Sequence, residues 1–346
     1  MNRRNSSLAL RALLSLITAV LPGVAFAADS AVVLMYHRFG ETKYPSTNIR
    51  IEQFEAHLAE LKTGGYTVLP VPEIVSALRE GRALPDRAVG ITVDDAYLSV
   101  FTQGWPRFRD AGFPFTLFVA TDPVDRAAAG RSAGYMNWDQ LRELKAAGVI
   151  IGSQTASHPH MASSTEAKNR ADVGRSNARF AKELGEMPAL FAYPYGEAGL
   201  DVARLVGEQG FTAAFGQHSG AIGPDHDFFF LPRFALNETY GSLDRFRLVA
   251  GTLPLSVSDE TPADPLISNS NNPPAIGFTA AAETKRLGQM SCFLSPEKVR
   301  IERLGDYRFE IRVDNPLPKG RTRLNCTLPA GQGRWRWYGR QFFFPG

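Results

Sequence analysis

From Ala31 to about Leu255, short apolar runs rich in β-branched residues alternate with stretches whose apolar positions recur every three or four residues. The first pattern is that of buried strands and the second that of amphipathic helices. Strands are expected at Val32–Tyr36, Thr67–Leu69, Ala88–Val93, Phe115–Ala120, Val149–Gly152, Leu190–Tyr193, Thr212–Phe215 and Phe228–Phe234. Helices are expected at Ile51–Lys62, where Phe54, Leu58 and Leu61 share a face, and at Trp138–Ala147, between the N-cap Asn137 and the terminating Gly148. Further helices are expected at Glu166–Leu184, Leu200–Gln209 and Leu243–Leu253. Strand and helix alternating seven or eight times predicts a parallel sheet closed into a barrel, with an open doubly wound sheet as the alternative. No glycine-rich dinucleotide or P-loop motif follows any strand, so a nucleotide site has no support.

The pattern changes after Leu255. Residues 257–275 are rich in Ser, Asn, Asp and Pro and read as a linker. Beyond it, Val299–Glu302, Arg308–Val313, Thr322–Thr327 and Trp335–Phe344 alternate or carry β-branched and aromatic residues, which predicts a small all-β sandwich over 276–346. In Arg334-Trp335-Arg336-Trp337 a strand would put both Trp on one face, expected to be core.

Composition changes the picture at the N-terminus. The 346 residues carry a formal charge of +3, yet Arg3, Arg4 and Arg11 lie in a segment, 1–27, that reads as a signal peptide. Its apolar stretch Ala12–Val20 precedes Ala25-Phe26-Ala27, a small-x-small cleavage pattern. Removing it takes the charge from +3 to 0, so the basic balance says nothing about nucleic acid, and no nucleic-acid partner is expected. No later segment reads as a membrane span. The mature chain, with its barrel at 28–256, is expected to be exported, periplasmic or secreted. Two Cys cannot fill a Cys-rich zinc cluster. Both Cys292 and Cys326 fall in the predicted sandwich, which in an oxidising compartment suggests one disulfide; two buried thiols are the alternative.

In a parallel barrel the chemistry lies at the carboxyl ends of the strands. His37, Asp94-Asp95, Gln154, His158, His160, Tyr195 and His218 all follow expected strands. Two adjacent carboxylates repel unless a cation or a shared proton intervenes, so one can hold a metal while the other serves as a base. Adjacent carboxylates suit a glycosidase poorly, because its acid and nucleophile or base flank the bond several ångströms apart. Arg233 is open between a role at the site and a surface salt bridge. Trp138 reads as packing at a helix start.

These residues resemble the motifs of the polysaccharide deacetylase family. Thr92-Val93-Asp94-Asp95-Ala96 is similar to T-F-D-D-G, Gln154-Thr155-Ala156-Ser157-His158-Pro159 to H-[ST]-x-x-H-P, and Ala192-Tyr193-Pro194-Tyr195-Gly196 to R-x-P-Y-G. Met35-Tyr36-His37 resembles the opening of many members, and the likeness runs over about 31–255. It implies a distorted (β/α) barrel of seven or eight strands and hydrolysis of N-acetyl, or sometimes O-acetyl, groups on a polysaccharide such as an exopolysaccharide or peptidoglycan. By resemblance Asp94 is the general base, Asp95 and His158 are metal ligands, and the Tyr195 backbone N–H helps hold the oxyanion. The implied cofactor is a divalent metal ion, with zinc the expected one. His218 is a candidate general acid. His37, Tyr193, His160 and Arg233 are candidates for substrate contact or for support of the site.

Two positions depart from the family pattern. Gln154 stands where the first metal-binding His belongs. It could ligate through its oxygen, His160 or His37 could substitute, or the metal site could be lost. Ala192 replaces an Arg that in the family supports the catalytic Asp. A glycan-binding member with impaired catalysis is therefore the alternative function.

Overall fold

A computed structural model describes residues 27–346. Nearly all of the expected signal peptide therefore lies outside the described residues. Among the described residues no helix is long and apolar enough to cross a membrane.

The central sheet has nine strands: β1 (Ala31–Tyr36), β2 (Thr67–Val68), β3 (Ala88–Asp94), β4 (Thr116–Val119), β5 (Ile150–Ser153), β6 (Leu190–Ala192), β7 (Ala213–Phe215), β8 (Ala221–Ile222) and β9 (Phe234–Ala235). Along it the order is β7-β6-β5-β4-β3-β1-β8, with β2 also on β3 and β9 also on β1. All pairings are parallel except that of β8 with β1. β1 and β3 are buried along their whole length, as expected of apolar strands covered on both faces. The sheet curls into an incomplete barrel. The gap is spanned by Leu231–Ala235: Leu231 bridges Phe215, and Phe234 and Ala235 pair with Leu34 and Met35.

The strand expected over Phe228–Phe234 is therefore reduced to this short crossing. Phe230 instead closes a turn onto Asp227, and apolar character alone did not distinguish that turn from a strand. Three helices exceed the expectation: Val71–Arg79, Trp105–Ala111 and Thr121–Ala128. The first two carry Pro in their first turn, where the missing N–H costs no helical hydrogen bond.

The C-terminal part is a pair of four-stranded sheets. One joins Leu253–Pro254, Arg334–Phe344, Gly320–Gly331 and Ser291–Ser295; the other joins Val257–Thr261, Ile276–Ala280, Arg308–Arg312 and Arg300–Leu304. The expected linker is corrected here. Val257–Thr261 is an edge strand paired with Ile276–Ala280, and Ile267 is fully buried in the sandwich core. The edge strand is largely exposed, so its polar composition imitates a linker. Cys292 and Cys326 lie directly opposite each other on paired strands and form a disulfide. The tryptophans do not form a shared core. Trp335 is exposed, and Trp337 packs edge-on against Phe234 of the barrel at 5.2 Å. The parallel pairing of Leu253–Pro254 with Arg336–Trp337 further ties barrel to sandwich.

Candidate active site

Asp94 is the last residue of β3 and is fully buried. Arg233, fully buried on the segment that spans the barrel gap, donates from Nη1 to Asp94 Oδ1 at 2.6 Å and from Nη2 to Oδ2 at 2.8 Å. Its Nη1 also reaches Thr92 Oγ1, and its Nε donates to the Gly216 carbonyl, both at 3.0 Å. Such a fork matches a carboxylate in two places at once, which a Lys cannot do. Ala192, at the position of the family's Arg, is fully buried on β6. The guanidinium thus reaches Asp94 from the segment that spans the barrel gap, and Arg233 is a buried partner of Asp94 rather than a surface ion-pair residue. His37 Nε2 lies 3.9 Å from Asp94 Oδ2.

Asp95 leaves the strand with φ +60, and His158 and Tyr195 have φ +58 and +60. Left-handed backbone of this kind costs of order 1 kcal/mol or more per residue outside glycine, and it clusters where a site demands it. The His158 loop is pinned from below. Asp172 Oδ1 accepts from the N–H of Ala156 and of Ser157, and Thr155 Oγ1 accepts from the N–H of His158. Burial pushes the Asp172 carboxyl up, but the Ser157 and Ala156 bonds and the Arg175 charge outweigh it and hold the group below its usual range.

His158 Nε2 stands 3.6 Å from Asp95 Oδ1. That is long for a hydrogen bond and compatible with two ligands of one ion. The third ligand is missing. Gln154 is buried, its Oε1 faces the Asp95 N–H at 3.4 Å, and its Nε2 has no partner. The amide thus turns a donor, not a lone pair, to its free side. His160 does not substitute, because its Nδ1 is 2.7 Å from Glu197 Oε2 and its ring stacks on Tyr195 at 4.1 Å. His37 sits beside Asp94. Among the described residues no group of three His, Cys, Asp or Glu could hold a metal ion, whereas a catalytic zinc takes three protein ligands. The residues present do not fit the implied zinc site.

Tyr195 forms the far wall, with the His158 ring edge-on at 4.6 Å. Its turn is held by the sandwich. Gln341 Nε2 donates to the carbonyls of Tyr195 and Gly196 at 3.2 and 2.8 Å, and Arg321 Nη1 donates to that of Tyr195 at 3.3 Å. Arg321 Nε also lies 3.6 Å from the buried Glu197. Glu197, Arg321 and Gln341 belong to no motif and gave no signal in the sequence, since two of them come from a separate β-rich segment. Tyr97, packed against Asp95, was also missed; burial first and the Asp95 charge second push its phenol far up.

Two expected residues do not join the site. Tyr193 is fully buried and donates to the Phe229 carbonyl at 2.7 Å, so it supports the wall from behind. His218 packs on Phe230 at 4.6 Å and lines a cavity that Asp94, Asp95 and His158 do not line. Trp138 packs at its helix start and donates to Asp125 at 2.7 Å.

Comparison with known proteins supports the reading of the motifs. Residues 81–214 match the model of the family described as polysaccharide deacetylase. The chain is 23% identical over 204 residues to YxkH of Bacillus subtilis, a match covering 58% of this chain and 69% of that one. It is 21% identical over 242 residues to the poly-beta-1,6-N-acetyl-D-glucosamine N-deacetylase of Staphylococcus epidermidis, covering 62% and 82%. The solved structure of IcaB from Ammonifex degensii superposes with a TM-score of 0.57 at 27% identity, covering 65% of this chain and 98% of that one. Residues 81–214, which bring Asp94, Asp95, Gln154 and His158 to one end of the curled sheet, are thus similar to the polysaccharide deacetylase family.

Proposed function

We propose that the protein is an exported deacetylase that removes N-acetyl groups, and O-acetyl groups where they occur, from a polysaccharide, with Asp94 as the proton acceptor. The observation that carries the reading is the buried Asp94–Arg233 pair, which presents a carboxylate in one fixed orientation at the end of a barrel strand. Asp94 takes a proton from the attacking water as the new C–O bond forms at the acetyl carbonyl. The backbone N–H of Tyr195 faces the developing oxyanion, and fixed donors of this kind supply a large share of catalysis in acyl transfer. The C–N bond then breaks and the proton passes to the leaving amine, so acetate and a free amine are released. The substrate class is an N-acetylated glycan, as the name of the Staphylococcus epidermidis relative indicates for that protein. A mature chain of zero formal charge suits a neutral polymer.

A glycan-binding role with little catalysis is a second reading, favoured by Gln154 in place of a ligand. Acetate release from poly-N-acetylglucosamine, measured with and without added divalent zinc, cobalt or nickel, decides between them. The expected result is release by the natural chain and none by Asp94→Asn assayed below its own melting temperature, which loss of the buried Arg233 partner will lower. Undiminished release by Asp94→Asn removes Asp94 from the chemistry. Oligosaccharide binding without release under any metal establishes the second reading.

A further inference from the structure

The barrel buries most of its aromatic side chains. Among its described residues only Tyr44, at 39%, and Tyr240, at 47%, are aromatic and more than a third exposed. Both lie on one rim. Tyr44 is in the loop that leaves β1, and Tyr240 is in the loop that leaves β9. β1, β3 and β9 run parallel, so both loops emerge at the end of the sheet where Asp94 ends β3. Hydrogen bonds tie the loops together. Asn237 Nδ2 donates to the Ser46 carbonyl at 2.8 Å, and Asn237 Oδ1 accepts from the Tyr240 N–H at 2.9 Å. The Glu238 N–H donates to the Asn48 carbonyl, and Asn48 Nδ2 donates to Glu238 Oε1, both at 2.7 Å.

Each ring also rests on a guanidinium. Arg38 Cζ lies 4.0 Å from the centre of the Tyr44 ring and 3.4 Å from that of Tyr97, while Arg38 Nη1 donates to Glu41 Oε2 at 2.6 Å. Arg245 Cζ lies 4.9 Å from the centre of the Tyr240 ring. Lys43 Nζ, at 5.6 Å from the Tyr44 ring centre, stands farther off. A guanidinium is attracted to the negative face of an aromatic ring, so each tyrosine is held in place although it is exposed. The platform is continuous with the site. Arg38 alone separates Tyr44 from Tyr97, which packs against Asp95, and the residue before Arg38, His37, lies 3.9 Å from Asp94.

A fixed ring with an open surface is a flat apolar patch edged by a phenol. A pyranose is its complement, with C–H bonds on its face and hydroxyls around its edge. Tyrosine supplies such contact area at low conformational-entropy cost, and the guanidinium stacks lower that cost further. Around the rings the loops expose the hydroxyls of Thr42, Ser46 and Thr239, which can meet sugar hydroxyls. We propose that Tyr44 and Tyr240 form a stacking platform for sugar units that flank the unit at Asp94, so that the protein selects a glycan chain over a single sugar. The proposal rests on the reading of the site as one for an N-acetylated glycan, and it holds whether that glycan is deacetylated or only bound.

The test is calorimetric titration of the full chain with the pentasaccharide of β-1,6-linked N-acetylglucosamine and, separately, with N-acetylglucosamine itself. Tyr44→Ala, Tyr240→Ala, the double Ala variant and the double Phe variant are each titrated below their own melting temperatures. The pentasaccharide is expected to bind the natural chain at least about tenfold more tightly than the monosaccharide. The double Ala variant should lose about tenfold in pentasaccharide affinity and nothing in monosaccharide affinity, each single variant should lose part of that, and the double Phe variant should keep it, because stacking needs the ring and not the hydroxyl. Unchanged pentasaccharide affinity in the double Ala variant, an equal loss for both ligands, or no pentasaccharide binding by the natural chain overturns the proposal. Acetate release is assayed separately. Its persistence alongside unchanged binding in the double Ala variant removes the platform and leaves the deacetylase reading standing. Its absence alongside tyrosine-dependent binding removes that reading and leaves the platform.

Discussion

Arg233 holds Asp94 through two hydrogen bonds, and neither side chain touches solvent. Removing one partner leaves the other charge buried and alone, which costs roughly 3–5 kcal/mol. Arg233→Met should therefore lower the free energy of unfolding, measured by urea titration, by an amount of that order and abolish acetate release. Arg233→Lys should recover only part of both, because a single ammonium cannot replace the fork. Full activity in either variant would show that the pair does not serve the reaction.

Gln341 tests the role of the sandwich. Gln341→Met keeps the volume and removes both bonds to the Tyr195 turn. The expected outcome is a kcat about tenfold lower, or about 1.4 kcal/mol, with little change in KM. A purely structural role would instead lower the active fraction and the melting temperature and leave kcat per folded molecule unchanged.

Gln154→His addresses the metal set directly. It would place a third ligand type beside Asp95 and His158, which already stand 3.6 Å apart. Zinc affinity, measured by competition with a chelator, should rise at least tenfold. An unchanged affinity would mean that the loop does not converge on one ion.

His57 predicts a pH dependence of stability. It is buried, and its ring nitrogens lie 3.1 Å from the Tyr36 hydroxyl and 2.9 Å from the Gly241 carbonyl. Burial, partly opposed by the Gly241 bond, pushes its pKa down from 6.5 to about 4. The folded state therefore binds fewer protons than the unfolded one. Its contribution is fully present above about pH 6.5 and is lost as pH falls toward 4, by roughly 3 kcal/mol in total. The loss of melting temperature between pH 7 and pH 4.5 should shrink in His57→Gln. An identical pH profile in that variant would rule His57 out as its source.

The Cys292–Cys326 bridge closes a separation of 34 residues. On a chain-entropy argument that is worth about 3–4 kcal/mol. Replacing both by Ser should lower the unfolding midpoint of the sandwich accordingly, a shift that calorimetry would resolve.

The sequence by itself determined the elements and the motif residues. Buried parallel strands read as unbroken apolar runs, so β1, β3 and β4 were legible, and Asp94, Asp95 and His158 followed from their position after such runs. It also determined what is absent at positions 154 and 192. Only the tertiary structure decided what replaces the missing Arg. Arg233 lies 139 residues from Asp94, and no local pattern records that the segment crossing the barrel gap aims its side chain inward. The same holds for Gln341, which meets Tyr195 and Gly196 across a junction between two folds. The edge strand Val257–Thr261 was misread for the complementary reason: a strand that pairs on one side and faces water has too few apolar positions to announce itself.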